Sequence, residues 1–191
     1  VSSKNWGISR EEAQALMEQY LETDNMRKHC LASEAIMRAL TPRFGADPEM
    51  WGLTGLLHDI DYNETRDNMP QHTLLAEIIL LEKGVDRAIV EAIKYHNAEN
   101  LGLTRNEPIH FALTAAETIT GMLVAASLVT PEKKLSAVKV KSVKKRMKAK
   151  EFARSVNRDQ IRLCEEIGIP LDEFIGLSLE AMSGISEQLG L

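Results

Sequence analysis

Gly55-Leu56-Leu57-His58-Asp59-Ile60-Asp61-Tyr62 carries an apolar helical run directly into a histidine and two carboxylates. A His beside an Asp offers a neutral nitrogen donor and an anionic oxygen donor from adjacent backbone positions. That pairing suits a hard or borderline divalent metal. The other four histidines, His29, His72, His96 and His110, all fall on expected helices. No Ser-His-Asp, glycosidase or phosphate-loop signature competes with this reading.

Working outward, the caps and apolar stripes give helices on both sides of the pair. Ser9 stands three residues before Glu12, a capping-box spacing that opens a helix to about Glu22 after a loose lead-in over Val1–Gly7. Asp24 or Asn25 caps a second helix to about Arg43, with His29, Ala32, Ile36 and Leu40 on its core side. Asp47-Pro48 opens the third, which delivers His58 and Asp59 at its C-terminal end. Asp61–Asn68 reads as a loop. Met69-Pro70 then starts a helix with His72 in its first turn, stopping at Gly84. Asp86 caps a fifth helix that holds His96 in its last turn, and Glu107-Pro108 opens a sixth through about Leu128, with Glu117 and Thr120 on one line. Short helices are expected over 133–158, then one from Asn157 or Asp159 to about Ile167, and a last one after Pro170-Leu171.

Composition narrows the class. A chain of 191 residues suffices for one well-buried domain, and its Leu, Ile, Ala, Glu and Met content favours helices. Cys30 and Cys164 have no CxxC partner, so neither a disulfide framework nor a zinc ribbon is expected, and a reducing cytoplasm fits best. We find no apolar stretch of membrane-spanning length and no basic-then-apolar leader. Net charge is −5, which argues against general affinity for polymeric nucleic acid. The exception is a basic run from Lys133 to Arg158, either a solvated face or a source of phosphate-binding lysines.

Polar groups on apolar faces or helix ends are His29, His58, Asp59, His72, His96 and Glu117, from five expected helices. Burying them unpaired is costly, whereas facing helices commonly build a metal site by each projecting a ligand inward. Blander alternatives stand beside this: a satisfied core histidine at His29, helix-terminal surface residues at His72 and His96, and a buried acid paired to a lysine at Glu117. His110, two turns before Glu117, reads as structural, and Cys30 points about a quarter-turn away from His29. Asp61 and Glu64 are open between support of the site and simple solvation.

At these residues the chain resembles the HD-domain superfamily of metal-dependent phosphohydrolases, whose pattern is an early His, a His-Asp pair and a late Asp on a helical core. The matching positions are His29, His58-Asp59 and Glu117, the last a Glu where the usual pattern has Asp and one methylene longer. The resemblance is closest to a bacterial subgroup with "LLHDIDY" at the pair, Lys94-Tyr95-His96-Asn97 after it, Ala115-Ala116-Glu117-Thr118-Ile119-Thr120-Gly121 later, and a continuation through Val138–Lys145. It covers about residues 24 to 189. It implies an all-α HD-type helical bundle with additional C-terminal helices, one domain over 1–191 with its core at about 24–130 and an extension at about 131–191.

The activity implied is hydrolysis of a nucleotide or other small phosphoester by metal-activated water, with His58 and Asp59 at the catalytic centre. His29, His58, Asp59 and Glu117 would hold one divalent ion; His72 and His96, with Asp59 bridging, would hold a second, as in branches with two metals. Nitrogen and oxygen donors favour Mn, Fe, Mg, Co or Ni, with catalytic Zn also allowed. Lys94, Arg66, Arg105, Lys144 and Lys145 are the candidate phosphate-binding cations. The expected partner is a small phosphorylated substrate, without nucleic acid polymer or membrane. Rival classes are a non-catalytic metal- or nucleotide-binding HD module in signalling, and a metal oxygenase of the inositol oxygenase type.

Overall fold

The computed structural model describes residues 5–191; the first four residues of the expected lead-in lie outside the described part. Among the described residues there is no strand, and the chain is a succession of helices and short 3-10 turns. Side-chain capping sets five of the starts. Helix α1 (Arg10–Tyr20) begins at a reciprocal box: Ser9 Oγ accepts from Glu12 N–H, and the Glu12 carboxylate accepts from Ser9 N–H. Helix α3 (Pro48–Leu57) begins where Asp47 accepts from the N–H groups of Glu49 and Met50. Asp86 does the same for α6 (Arg87–Lys94), and Asn157 for α10 (Arg158–Arg162). In α2 (Asp24–Leu40) the cap is one residue earlier than expected. Thr23 is extended and its hydroxyl accepts from Met26 N–H, which leaves Asp24 in the first turn, where a carboxylate complements the helix dipole.

Three expectations near the site are corrected. The segment Asp61–Asn68 contains a helical turn, α4 (Tyr62–Thr65). The helix expected to start at Met69-Pro70 does not: Met69–Gln71 is a 3-10 turn, His72 is extended, and α5 (Leu74–Glu82) starts only after Thr73, at φ +71°. The buried Asp61 carboxylate causes this break by taking the N–H groups of Thr73 and Ala76 at 2.8 and 3.0 Å. His96 likewise lies just beyond α6, in the 3-10 turn Tyr95–Asn97, ahead of α7 (Ala98–Leu101).

Helix α8 (Pro108–Leu128) is apolar on nearly all sides and buried along most of its length. By length and composition alone it could cross a membrane, which corrects the expectation that no such stretch exists; in this fold most of its surface is packed against other helices. Around it lie α2, α9 (Val140–Met147), α10 and α11 (Leu171–Ser183), joined in one apolar core, with α12 (Ser186–Leu189) against α2 and α11. A second core joins α1, α3, α5 and α6. Leu31 and Met50 touch both cores, so α2 and α3 form the seam between them.

Candidate metal centre

Close approach of α2 and α3 sets the first half of the site. A Cβ on Gly55 would meet Ser33 O at 2.8 Å and Glu34 N at 2.9 Å, so only glycine lets the helices come together there. One turn on, this closeness puts His58 Nε2 3.1 Å from His29 Nε2. From α8, Glu117 Oε2 reaches to 3.9 Å of His29 Nε2. The second half comes from the two breaks in helix: His72 Nε2 and His96 Nε2 are 2.9 Å apart.

Asp59 joins the halves. Its Oδ2 lies 3.5 Å from His29 Nε2 and 3.4 Å from His58 Nε2, while its Oδ1 lies 3.2 Å from His72 Nε2 and 3.4 Å from His96 Nε2. Each carboxylate oxygen thus faces one pair of imidazoles.

The far nitrogen of every ring is anchored. His58 Nδ1–H donates to Gly55 O at 2.8 Å and His96 Nδ1–H to Ile93 O at 2.7 Å, and a carbonyl can only accept. His72 Nδ1–H donates to Asp61 Oδ1 at 2.8 Å. At His29 the partner is Thr120 Oγ1 at 2.9 Å; that hydroxyl already donates to Glu117 O, so it accepts from His29 Nδ1–H. With Nδ1 of every ring anchored as a donor, the neutral form of each ring carries its lone pair on Nε2, facing Asp59, the tautomer a metal ligand requires. Two such lone pairs about 3 Å apart repel unless a cation lies between them, so the donor set fits divalent ions at both pairs.

Two groups of donor atoms converge closely enough to share an ion, His29 with His58 and Glu117, and His58 with Asp59 and His96. The sequence pattern agrees: the HD domain family model matches residues 26–141, more than half of the chain and a span that contains all five of these residues and His72. The chain belongs to the HD domain family. No curated protein and no solved structure gives a significant match to it.

Without metal, protons take the place of the cation in this HD domain. Burial disfavours charge on all four rings. Against it, the Asp59 carboxylate holds His58 well above the usual imidazole range, and Asp59 and Asp61 together lift His72 to about 9. Their partners stay neutral: burial and the charge on His58 push His29 down to about 4, and burial lowers His96. Burial also raises Glu117 to about 7, although His58 opposes it. Burial works against the Asp59 carboxylate as well, yet the charge on His58 and the bonds from the rings keep it well below its ordinary value.

The six residues His29, His58, Asp59, His72, His96 and Glu117 are thus brought together, while the five candidate cations are not. Lys94 is paired with Glu77 at 3.2 Å and Glu91 at 3.6 Å. Arg66 is exposed beside Asp67, Lys144 is bonded to Asp172 at 2.7 Å, and Lys145 is exposed. Arg105 braces the turn that carries His96. Its guanidinium grips Glu99 with two bonds and also donates to Thr114 Oγ1 and to His96 O. His110 stands apart, stacked on Tyr95 at 3.6 Å and accepting weakly from Asn106 and Glu107 N–H, so it steadies the same turn. Burial pushes the Cys30 thiol up, away from thiolate.

Asp61, open on sequence grounds, is thus part of the support of the site. Sequence reasoning places Asn97 in the stretch that carries the resemblance but gives it no role; its amide donates to Met69 O and His72 O. What that reasoning misses is the end of the basic run. Arg158 donates to the carbonyls of Ala149, Phe152, Ala153 and Val156, folding that stretch so that Ser155, Asn157 and Gln160 line a recess of about 250 Å³ beside His29 and Glu117. A cation placed to collect four backbone carbonyls has no sequence signature.

Proposed function

We propose that this HD domain is a metal-dependent phosphohydrolase acting on a small phosphoester. What carries the reading is the pairing at Asp59: two histidine pairs, each with Nδ1 anchored and Nε2 turned inward, each facing its own oxygen of one carboxylate. His29, His58, Asp59 and Glu117 would hold one divalent ion, and His72, His96 and Asp59 a second. When bound, such ions lower the pKa of water, orient it for in-line attack and neutralise charge on the phosphoryl oxygens.

The chain's own residues supply the frame. Asp61, Thr120 and the carbonyls of Gly55 and Ile93 fix the rings, so the ligands need not reorganise when the site fills. Access is one-sided. The side chains of His29 and Glu117 are 21% and 19% exposed, against 0% for His58 and 3% for His72, so a substrate approaches across His29 and Glu117. Thr118, Ser155, Asn157 and Gln160 on that side offer neutral hydrogen-bonding groups for phosphoryl oxygens.

The test is elemental analysis of protein purified without added metal, followed by assay of p-nitrophenyl phosphate and other generic phosphoesters with manganese, nickel or magnesium. The reading expects bound divalent metal and turnover that is lost in Asp59→Ala. Metal-loaded protein that hydrolyses none of them would favour a binding module, and a diferric chromophore with oxygen uptake would favour an oxygenase.

A further inference from the structure

Beside the metal centre lies a second, larger cleft of about 490 Å³, and His29, Thr120 and Gly121 line both it and the small polar recess. Its walls come from α2, α8, α11 and α12. Ala32, Val124, Ala125, Leu128, Met182 and Leu189 give it an aliphatic lining, while Asn25 and Lys28 form a polar rim. Gly121 stands in the middle of α8 at the junction of the two spaces, where a side chain would already press on Val156 Cγ2 at 3.2 Å. With no side chain there, the helix surface between the apolar cleft and the polar recess stays low.

A second observation marks the cleft's outer end. Among the described residues three large hydrophobics are exposed, Ile78, Leu128 and Val129. Leu128 lines the cleft and Val129 follows it, so an aliphatic track runs from His29 to an exposed apolar lip. Exposed apolar surface continuous with a concave site is the usual mark of a ligand groove.

We propose that this cleft holds the leaving-group side of the substrate, and that the substrate is a phosphate ester of an aliphatic alcohol. The inference rests on the phosphohydrolase reading above. The phosphoryl group lies at His29 and Glu117, and the alkyl chain runs along α8 toward Leu128. A nucleoside fits poorly. None of the lining residues has an aromatic ring for a base to stack on, other than the His29 imidazole reserved for metal, and its several donors and acceptors would be desolvated against aliphatic walls with few partners. An alkyl chain loses no hydrogen bonds there and gains from leaving water.

The experiment is calorimetric binding of alkylphosphonates, methyl through hexyl, and of AMP to manganese-loaded protein. Each added methylene should tighten Kd by about two- to fourfold, the range for half to full burial of the group. Ala125→Phe, which fills the cleft, should flatten the series. Leu128→Asp, at an exposed position that tolerates charge in the fold, should weaken only the longer members. AMP should bind no more tightly than methylphosphonate. A flat wild-type series, no binding by any member, an unchanged series in Ala125→Phe, or AMP tighter than hexylphosphonate would each overturn the proposal. Turnover of p-nitrophenyl phosphate is read in parallel. Turnover with a flat series removes the cleft assignment and leaves hydrolysis standing, whereas a steep series without turnover of any phosphoester does the reverse.

Discussion

Asp61 is fully buried and makes three hydrogen bonds: to His72 Nδ1–H and to the N–H groups of Thr73 and Ala76. All three partners are donors, which a carboxylate satisfies and an amide cannot. In Asp61→Asn, whichever way the amide turns, its NH2 faces another donor, and His72 loses either its fixed tautomer or its backbone support. Metal affinity should fall about 10- to 100-fold, the usual effect of losing a ligand's outer partner, with helical content kept. Metal titration monitored alongside circular dichroism checks this, and an unchanged affinity would show that Asp61 only caps α5. Protons give a second prediction at this scale. His72 rises from 6.5 to about 9 in the folded, metal-free chain, so its contribution to stability is fully present below pH 6.5 and is lost as pH rises through about 9. Metal uptake runs the other way, because the same proton must leave; affinity should rise with pH as His72 gives up its proton toward about 9, and the raised His58 adds to the rise. Thermal melts of stripped protein and calorimetry in buffers of different ionisation enthalpy would show both trends. The pair His58-Asp59 is legible in the sequence because two ionisable residues end an apolar run. Asp61 is not, since its partners lie 11 to 15 residues away across a break in helix.

The seam between α2 and α3 decides how His29 meets His58. Gly55→Ala would force the helices apart at Ser33, an overpacking cost of about 1–3 kcal/mol, and would widen the first histidine pair. Urea unfolding should show the loss, and metal affinity should drop with it; a variant of wild-type stability would mean the helices are not in such close contact. Helix existence at this scale is readable from Ser9, Asp47 and Asp86, whose side chains cap as their spacing suggests. The positions of His72 and His96 are not, because periodicity extends helices through residues that tertiary bonds pull out of them. Thr73 shows the force involved: a β-branched residue at φ +71° with its hydroxyl buried and unpartnered, held there by Asp61. Such strain beside a ligand is a cost that only the surrounding contacts sustain.

Across the whole molecule, two apolar cores meet at α2 and α3, and the elements carrying the six donors converge where α2, α3 and α8 touch. The HD pattern makes the convergence of His29, His58, Asp59 and Glu117 expected from sequence; the division of labour at Asp59, one oxygen to each histidine pair, requires coordinates. The cleft toward Leu128 is equally hidden, because its walls come from segments as distant as Ala32 and Leu189. Central to the proposed chemistry are two divalent ions per chain, which the two histidine pairs would hold with Asp59 as the carboxylate common to both. The direct measurement is metal stoichiometry by elemental analysis, after saturation with manganese and removal of free ion, for the wild type and for the double variant His72→Ala/His96→Ala. Two ions in the wild type and one in the double variant are expected; one ion in the wild type, or an undiminished count in the double variant, would contradict the paired site.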